Sequence, residues 1–274
     1  MPDWPATSWP MDLSKARILC SNDDGIHAPG FEVLERIARS LSDDVWVVAP
    51  ETEQSGTGHS LTLRRPLRIR KVSEKRYSVD GTPTDCVLLA INQIMKDKRP
   101  TLVLSGVNRG GNLGEDVTYS GTVAAAMEST VLGVPAIALS QVYGGDAVPW
   151  DAAEQHGPDL VRKLCAHGWP ANTLININFP DRAAGDVVGV RASSQGRRKL
   201  GDEIVESHDP RGVPYYWIGG MRTEDSTLAG TDLNAVTHGA IAVTPIGMNM
   251  THRPTLTELA SLLQSGKPAG EHAD

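Results

Sequence analysis

A doubly wound α/β fold with a mostly parallel, Rossmann-like sheet follows from three features of this 274-residue sequence. Short, almost wholly apolar β-prone runs recur through the first two thirds, as strands buried on both faces require. Patterns with helical spacing lie between these runs, and strand–helix alternation closes into a parallel sheet through crossover connections. After Pro180 the texture shifts to glycine, charge and irregular sequence, which reads as an appendage to the core.

Residues 1–15, "MPDWPATSWPMDLSK", carry prolines and polar groups and read as a loose tail before the fold. The core is expected over 16–180. Its first strand is "ARILCS" (16–21), followed by the helix "GFEVLERIARSL" (30–41), whose Val33, Leu34, Ile37, Ala38 and Leu41 fall on one face. The second strand is "VWVVAP" (45–50). Arg and Lys crowd into "RRPLRIRKVSEKR" (64–76), read first as a solvated edge strand and second as a basic rim for anionic ligands. A helix "TDCVLLAINQIM" (84–95) leads to the strand "TLVLSG" (101–106). The Ala-rich helix of "SGTVAAAMESTVLGVP" has Ser120 placed as its cap, with Gly133 and Pro135 to stop it. Strands "PAIALS" (135–140) and "TLININF" (173–179) complete the core. Residues 181–274 are read as a β-hairpin and helix appendage used in oligomerisation, with a strand "AIAVTPI" (240–246) returning to the core and a final helix at 256–263.

A hydrophobic share of 40%, a charged share of 22% and a formal net charge of -7 fit a globular protein and argue against a binder of nucleic-acid polymers. Cys20, Cys86 and Cys165 are widely spaced, without a C-x-x-C motif, and suggest buried thiols in a reducing compartment. No apolar run approaches the ~20 residues that span a bilayer, and the N-terminus lacks a basic leader and an apolar core. The expectation is a cytoplasmic protein without a membrane partner.

Ligands of open α/β sheets bind beyond the carboxyl ends of the strands. There the first strand runs into Asn22-Asp23-Asp24-Gly25, and the second into "APETEQSGTGHS", with Ser55, Gly56, Gly58 and His59. The "TLVLSG" strand runs into "VNRGGNLGEDVTYSGT", with Asn108, Asn112 and the helix start at Ser120. Asp23, Asp24, Ser55 and Asn108 offer hard oxygen donors suited to Mg²⁺, Mn²⁺ or Ca²⁺. A cation would remove the repulsion between adjacent carboxylates, provided that the backbone turns there, which Gly25 permits. Ser120, Gly121 and Thr122 at a helix start form a phosphate cradle, and Asn112 lies on the loop leading to it. A cation beside a phosphate cradle points to phosphoryl chemistry.

Each feature alone has a plainer reading. Asp23-Asp24-Gly25 is as readily a polar turn, Ser120 a helix cap, Ser55 and His59 residues of a Gly-rich turn, and Asn108 and Asn112 turn formers. Asp43-Asp44 lies at the opposite end of the sheet and reads as solvated, and His208, His238 and His252 read as surface histidines. G-x-x-x-x-G-K-[ST], G-x-G-x-x-G after a strand and G-x-S-x-G are all missing, which removes support for nucleotide-triphosphate, dinucleotide and serine-hydrolase sites.

The chain resembles the stationary-phase survival protein SurE family of metal-dependent 5′/3′-nucleotidases. The resemblance is carried by "NDDGIHAPG" from Asn22, "APETEQSGTGHSLT" from Ala49, "GTPTDCV" from Gly81 and "SGVNRGGNLGEDVTYSGTVAAAMES" from Ser105. It continues with "NINFP" from Asn176 and "GTDLNAVTHGAIAVTPI" from Gly230. It implies hydrolysis of nucleoside 5′- and 3′-monophosphates, and for some members short polyphosphates, by water activated at a divalent cation. The family's metal ligands map onto Asp23, Asp24, Ser55 and Asn108, and Asp23 or Asp24 would orient or deprotonate the water. It also implies a homodimer or homotetramer formed by exchange of C-terminal elements. Asn234 stands where members often have His, and Ser129 where many have Gly. The competing class is a non-catalytic regulator that binds phosphate or nucleotide at the same loops.

Overall fold

The computed structural model describes residues 7–200, 203–219 and 222–264. β1 (Arg17–Ser21), α1 (Pro29–Arg39), β2 (Asp44–Pro50), β3 (Ile69–Ser73), β4 (Arg76–Val79) and α2 (Pro83–Leu89) come first. β5 (Leu102–Arg109), α3 (Gly121–Val131), β6 (Ala136–Gln141), α4 (Trp150–His167) and β7 (Thr173–Phe179) complete the core run. β8 (Val190–Ala192), β9 (Arg197–Leu200), β10 (Ile204–His208), β11 (Pro214–Ile218) and β12 (Arg222–Asp225) follow. The described chain closes with α5 (Asp232–Thr237), β13 (Ile241–Gly247) and α6 (Arg253–Gln264).

The nine-stranded sheet has the order β3-β4-β2-β1-β5-β6-β7-β13-β8. β4, β2, β1, β5, β6 and β7 run parallel, whereas β13 is antiparallel to β7 and β3 to β4. Alternation along each strand feeds two cores. Ile18, Cys20, Leu102 and Leu104 join the cluster under α1 and α4. Leu19 and Val103 join the cluster under α2 and α3. From β1 the chain first winds outward to β2 and later returns to place β5 on the other flank. The β1–β5 boundary is therefore the switch point where the loop ends splay apart.

Four expectations need correction. Residues 7–15 are packed down, because the alternating Trp9, Met11 and Leu13 give the extended segment one apolar side. Trp9 packs on Trp169 with the rings tilted by 42° and their centroids 4.6 Å apart, and lies where a Cβ on Gly168 would clash at 2.4 Å. β5 continues three residues beyond the expected end at Gly106, through a register shift against β6 between Ser105 and Asn108. Only glycine fits there: Gly106 has φ +131°, and a Cβ would sit 2.1 Å from the Leu139 carbonyl oxygen. The helix expected over 84–95 is α-helical only to Leu89 and relaxes into a π turn over Ala90–Ile94. Asp44 is not simply solvated. Burial raises its carboxyl, but the Lys75 and Arg17 donors outweigh that effect and hold it at about 2.

α4 carries no clear signal in the sequence because Gly157-Pro158 interrupts the helical pattern, yet the helix runs 18 residues through both. Gly157 admits the Ile37 side chain of α1, whose Cδ1 would lie 2.9 Å from an added Cβ. The basic stretch does form the exposed edge strand β3. Beyond the core, β9 pairs with β12 and β10 with β11, two nested antiparallel ladders that form the expected hairpin. β13 returns to the sheet and α6 follows it. No helix among the described residues is long and apolar enough to cross a membrane.

Candidate active site

At the switch point the backbone turns sharply after Ser21. Gly25 adopts φ +99°, and the Asn22 amide donates to the Gly25 carbonyl at 2.9 Å, which closes the turn and leaves the adjacent carboxylates at its apex. Asp23 is 4% exposed and Asp24 is half-buried. Asp23 Oδ1 accepts a short hydrogen bond from the Thr122 hydroxyl. A Cβ on Gly121 would lie 2.6 Å from Asp23 Cβ, so the α3 start closes directly over Asp23. Asp24 Oδ2 accepts the Arg109 backbone N–H at 3.3 Å. The carboxylate pair therefore bridges the first turn of α3 and the end of β5.

Ser120 caps α3, its Oγ accepting from the Val123 N–H at 3.0 Å. That leaves Gly121 and Thr122 as the leading N–H groups of a helix buried from Gly121 to Thr130, with Asp23 packed against its first turn. The 54–60 loop closes the third side. Gln54 N–H donates to the Asp23 carbonyl at 2.8 Å, and Gly58 N–H donates to the Tyr119 carbonyl at 3.0 Å. His59 Nε2 meets Glu128 Oε2 of α3 at 2.9 Å. Ser55, next to Gln54, is exposed, and its hydroxyl donates to Glu53 at 2.9 Å. Asn108 donates through Nδ2 to the Gly110 carbonyl at 2.8 Å, and its Oδ1 accepts from no donor among the described residues.

Asn112 turns inward instead. Its Nδ2 donates to Ser140 Oγ at 2.8 Å, its N–H to Asn178 Oδ1 at 2.8 Å, and its carbonyl accepts from Asn176 and Asn178. The amide cluster on β7 anchors the loop that carries the site. Sequence reasoning missed Asn176, Asn178 and Glu128. The alternation in "NINFP" was the available signal for the two asparagines, since polar side chains at i and i+2 share one strand face. Glu128 gave no such signal, being one charge on an Ala-rich helix.

The electrostatics are those of an uncompensated pair. Burial, with Asp24 adding to it, raises the Asp23 carboxyl to about 7 despite the Thr122 bond. Burial likewise raises Asp24. Asn22 Oδ1 in the turn and Ser21 Oγ and Ser105 Oγ on the adjacent strands β1 and β5 are buried without a hydrogen-bond partner among the described residues. Among the described residues no cluster of three or more His, Cys, Asp or Glu side chains converges. The candidate donors are two carboxylates, an amide oxygen and a hydroxyl, all hard. This set fits a hard divalent cation, whose charge would offset the two carboxylates.

The sequence profile of the family described as "Survival protein SurE" matches residues 18–202. A "5'-nucleotidase SurE" of Paramagnetospirillum magneticum is 63% identical over 90% of this chain and 96% of its own length. A protein of the same description from Rhodospirillum rubrum is 59% identical over the same shares. The crystal structure of the SurE protein from Aquifex aeolicus superposes with a TM-score of 0.79 at 40% identity, covering 90% of this chain and 99% of that one.

Proposed function

This chain belongs to the survival protein SurE family, and from that premise we propose that it is a 5′-nucleotidase, a phosphomonoesterase that releases phosphate from nucleoside monophosphates. Members related at this identity over nearly their whole length carry that activity in their description. The observation that carries the reading in this molecule is the contact between Asp23 and the first turn of α3. It joins the carboxylate pair, through its buried member Asp23, to a helix start that suits phosphate.

We assign Asp23, Asp24, Ser55 and Asn108 to a divalent cation, Mg²⁺ or Mn²⁺, with Ca²⁺ able to occupy the same oxygens. When bound, such a cation neutralises phosphoryl oxygens and lowers the pKa of water. The protein's own groups do the rest. The leading N–H groups at Gly121 and Thr122, with the Ser120 cap, hold phosphate oxygens at the positive end of the α3 dipole. Thr122 also braces Asp23, so carboxylate and phosphate keep a fixed separation. Asn112 secures the loop through β7. Asp23 or Asp24 takes the proton of the attacking water, and the buried floor excludes bulk solvent from the reacting phosphorus. Substrates extend to 3′-monophosphates and short polyphosphates, since the cradle reads phosphate and not sugar position.

The deciding measurement is phosphate release from AMP. Chelation is expected to abolish turnover, and Mn²⁺ or Mg²⁺ to restore it. Full turnover after exhaustive chelation, with elemental analysis showing no bound metal, overturns the cation assignment. AMP binding without phosphate release marks a regulator. The nested β9–β12 hairpin and α6 are proposed as the elements through which two or four copies associate.

A further inference from the structure

The turn that follows β6 carries an aromatic ring for which the phosphate chemistry has no use. Tyr143 is half-buried, and the Arg109 guanidinium lies over its ring, 5.1 Å from the centroid. A Cβ on Gly110 would come 4.0 Å from the same ring. Arg109 also donates its backbone N–H to Asp24, and Asn108 immediately precedes it. Ring and carboxylate pair are thus separated by about one arginine side chain, comparable to the distance from phosphate to base in a nucleoside monophosphate.

Tyr143 also borders a cavity of about 490 Å³ whose walls include Leu113, Val142, Val236, Asp181 and Arg182. That volume lies within the ~300–1,000 Å³ range of small-ligand sites, and the walls are more polar than apolar, with Asp181, Arg182, Arg198 and Glu224 beside Leu113, Val142 and Val236, so they offer hydrogen-bond partners to the base edge and the sugar hydroxyls. The walls are braced against one another. Val142 N–H donates to the Phe179 carbonyl at 3.0 Å, and Gly144 N–H donates to Asp181 Oδ2 at 3.0 Å. The ring's position is therefore fixed by β7 as well as by its own turn.

We propose that Tyr143 is the stacking platform for the base of a nucleoside monophosphate, with base and sugar received in the adjoining cavity and Arg109 lying between base and phosphate. This rests on the nucleotidase reading and deepens it, by assigning the nucleoside half of the substrate. Stacking reads a π-face that every base has, so the site accepts all four bases.

The test compares Tyr143→Ala and Tyr143→Phe with the unaltered protein, by KM and kcat for AMP and by the inhibition constants of adenosine and of inorganic phosphate. Loss of an aromatic partner weakens base binding by roughly 5- to 100-fold. Tyr143→Ala is expected to raise the KM for AMP and the adenosine constant together by about tenfold. The phosphate constant and kcat should stay within about threefold, and Tyr143→Phe should behave like the unaltered protein because the ring is kept. An unchanged KM for AMP, or a phosphate constant that rises as much as the AMP KM, overturns the assignment. Should the unaltered protein release no phosphate from AMP, the nucleotidase reading is what fails. Calorimetric titration with adenosine still decides this proposal, because binding weakened in Tyr143→Ala supports it and equal or absent binding overturns it.

Discussion

Two carboxylates in sequence at a buried turn are unfavourable unless something compensates them. Asp23, 4% exposed, has its carboxyl raised to about 7 by burial and by Asp24, against 3.8 for an ordinary aspartate. The sign of the linkage follows. A raised native value makes the relative stability contribution complete below pH 3.8 and removes it as pH rises through 7. At 1.36 kcal/mol per pH unit, ionised Asp23 costs cation-free protein on the order of 4 kcal/mol at pH 8. In chelator the unaltered protein should therefore lose roughly 5–10 °C more of its melting temperature between pH 4 and pH 8 than Asp23→Asn loses. Mn²⁺ should cancel the difference at pH 8. Turnover of AMP by Asp23→Asn or Asp24→Asn should fall by orders of magnitude. Parallel melting curves for both proteins across that pH range would show that the pair is an ordinary turn, as would near-normal turnover in both Asn variants.

Elements place these residues, and one clasp between elements stands out. Ser55 sits on an exposed loop, so its availability to a cation depends on what holds the loop down. The His59–Glu128 contact at 2.9 Å ties it to α3, the helix that also closes over Asp23. Glu128→Ala should raise the Mn²⁺ concentration for half-activation roughly tenfold, in line with the loss of outer groups that orient ligands. kcat at saturating Mn²⁺ should change by less than about threefold, and Glu128→Gln should recover part of the loss. An unaltered Mn²⁺ requirement would make the clasp irrelevant to the site. Legibility differs element by element for related reasons. Strands such as β1, β2 and β7 were readable because burial on both faces forces near-continuous apolar sequence. α4 was hidden because a proline in the interior of a helix looks like an end, while its packing on α1 overrides the local cost. The extension of β5 was hidden too, since a glycine whose Cβ would strike Leu139 in the neighbouring strand looks like an ordinary loop glycine. In the candidate site, residues on strand-end loops could be placed from topology. The inward turn of Asn112 could not, because nothing local in "GGNLG" says which of its neighbours Asn178 will meet.

The whole molecule leaves large apolar side chains of the outer hairpin and of α6 exposed. On the outer hairpin Tyr216, Trp217 and Ile218 are 60%, 66% and 74% exposed, and on α6 Leu262 and Leu263 are 67% and 74% exposed. Neither element contributes to the buried clusters that hold the sheet. Patches of this kind on an otherwise well-packed protein mark contact surfaces. Their position after the core, on a paired ribbon and a terminal helix, suits association by exchange of C-terminal elements. Light scattering should therefore give at least twice the 29.4 kDa chain mass. Trp217→Glu with Ile218→Lys removes the apolar end of β11 while leaving the β10–β11 backbone pairing intact, and Leu259→Glu with Leu263→Glu does the same for α6. If two different contacts build a tetramer, one pair of substitutions should stop at the dimer and the other should reduce its stability. Phosphate release from AMP should survive the hairpin pair, because β11 lies outside every contact made by Asp23, Asp24 and α3. A monomeric mass for the unaltered protein at working concentration would refute the association. So would four substitutions together that leave the mass unchanged.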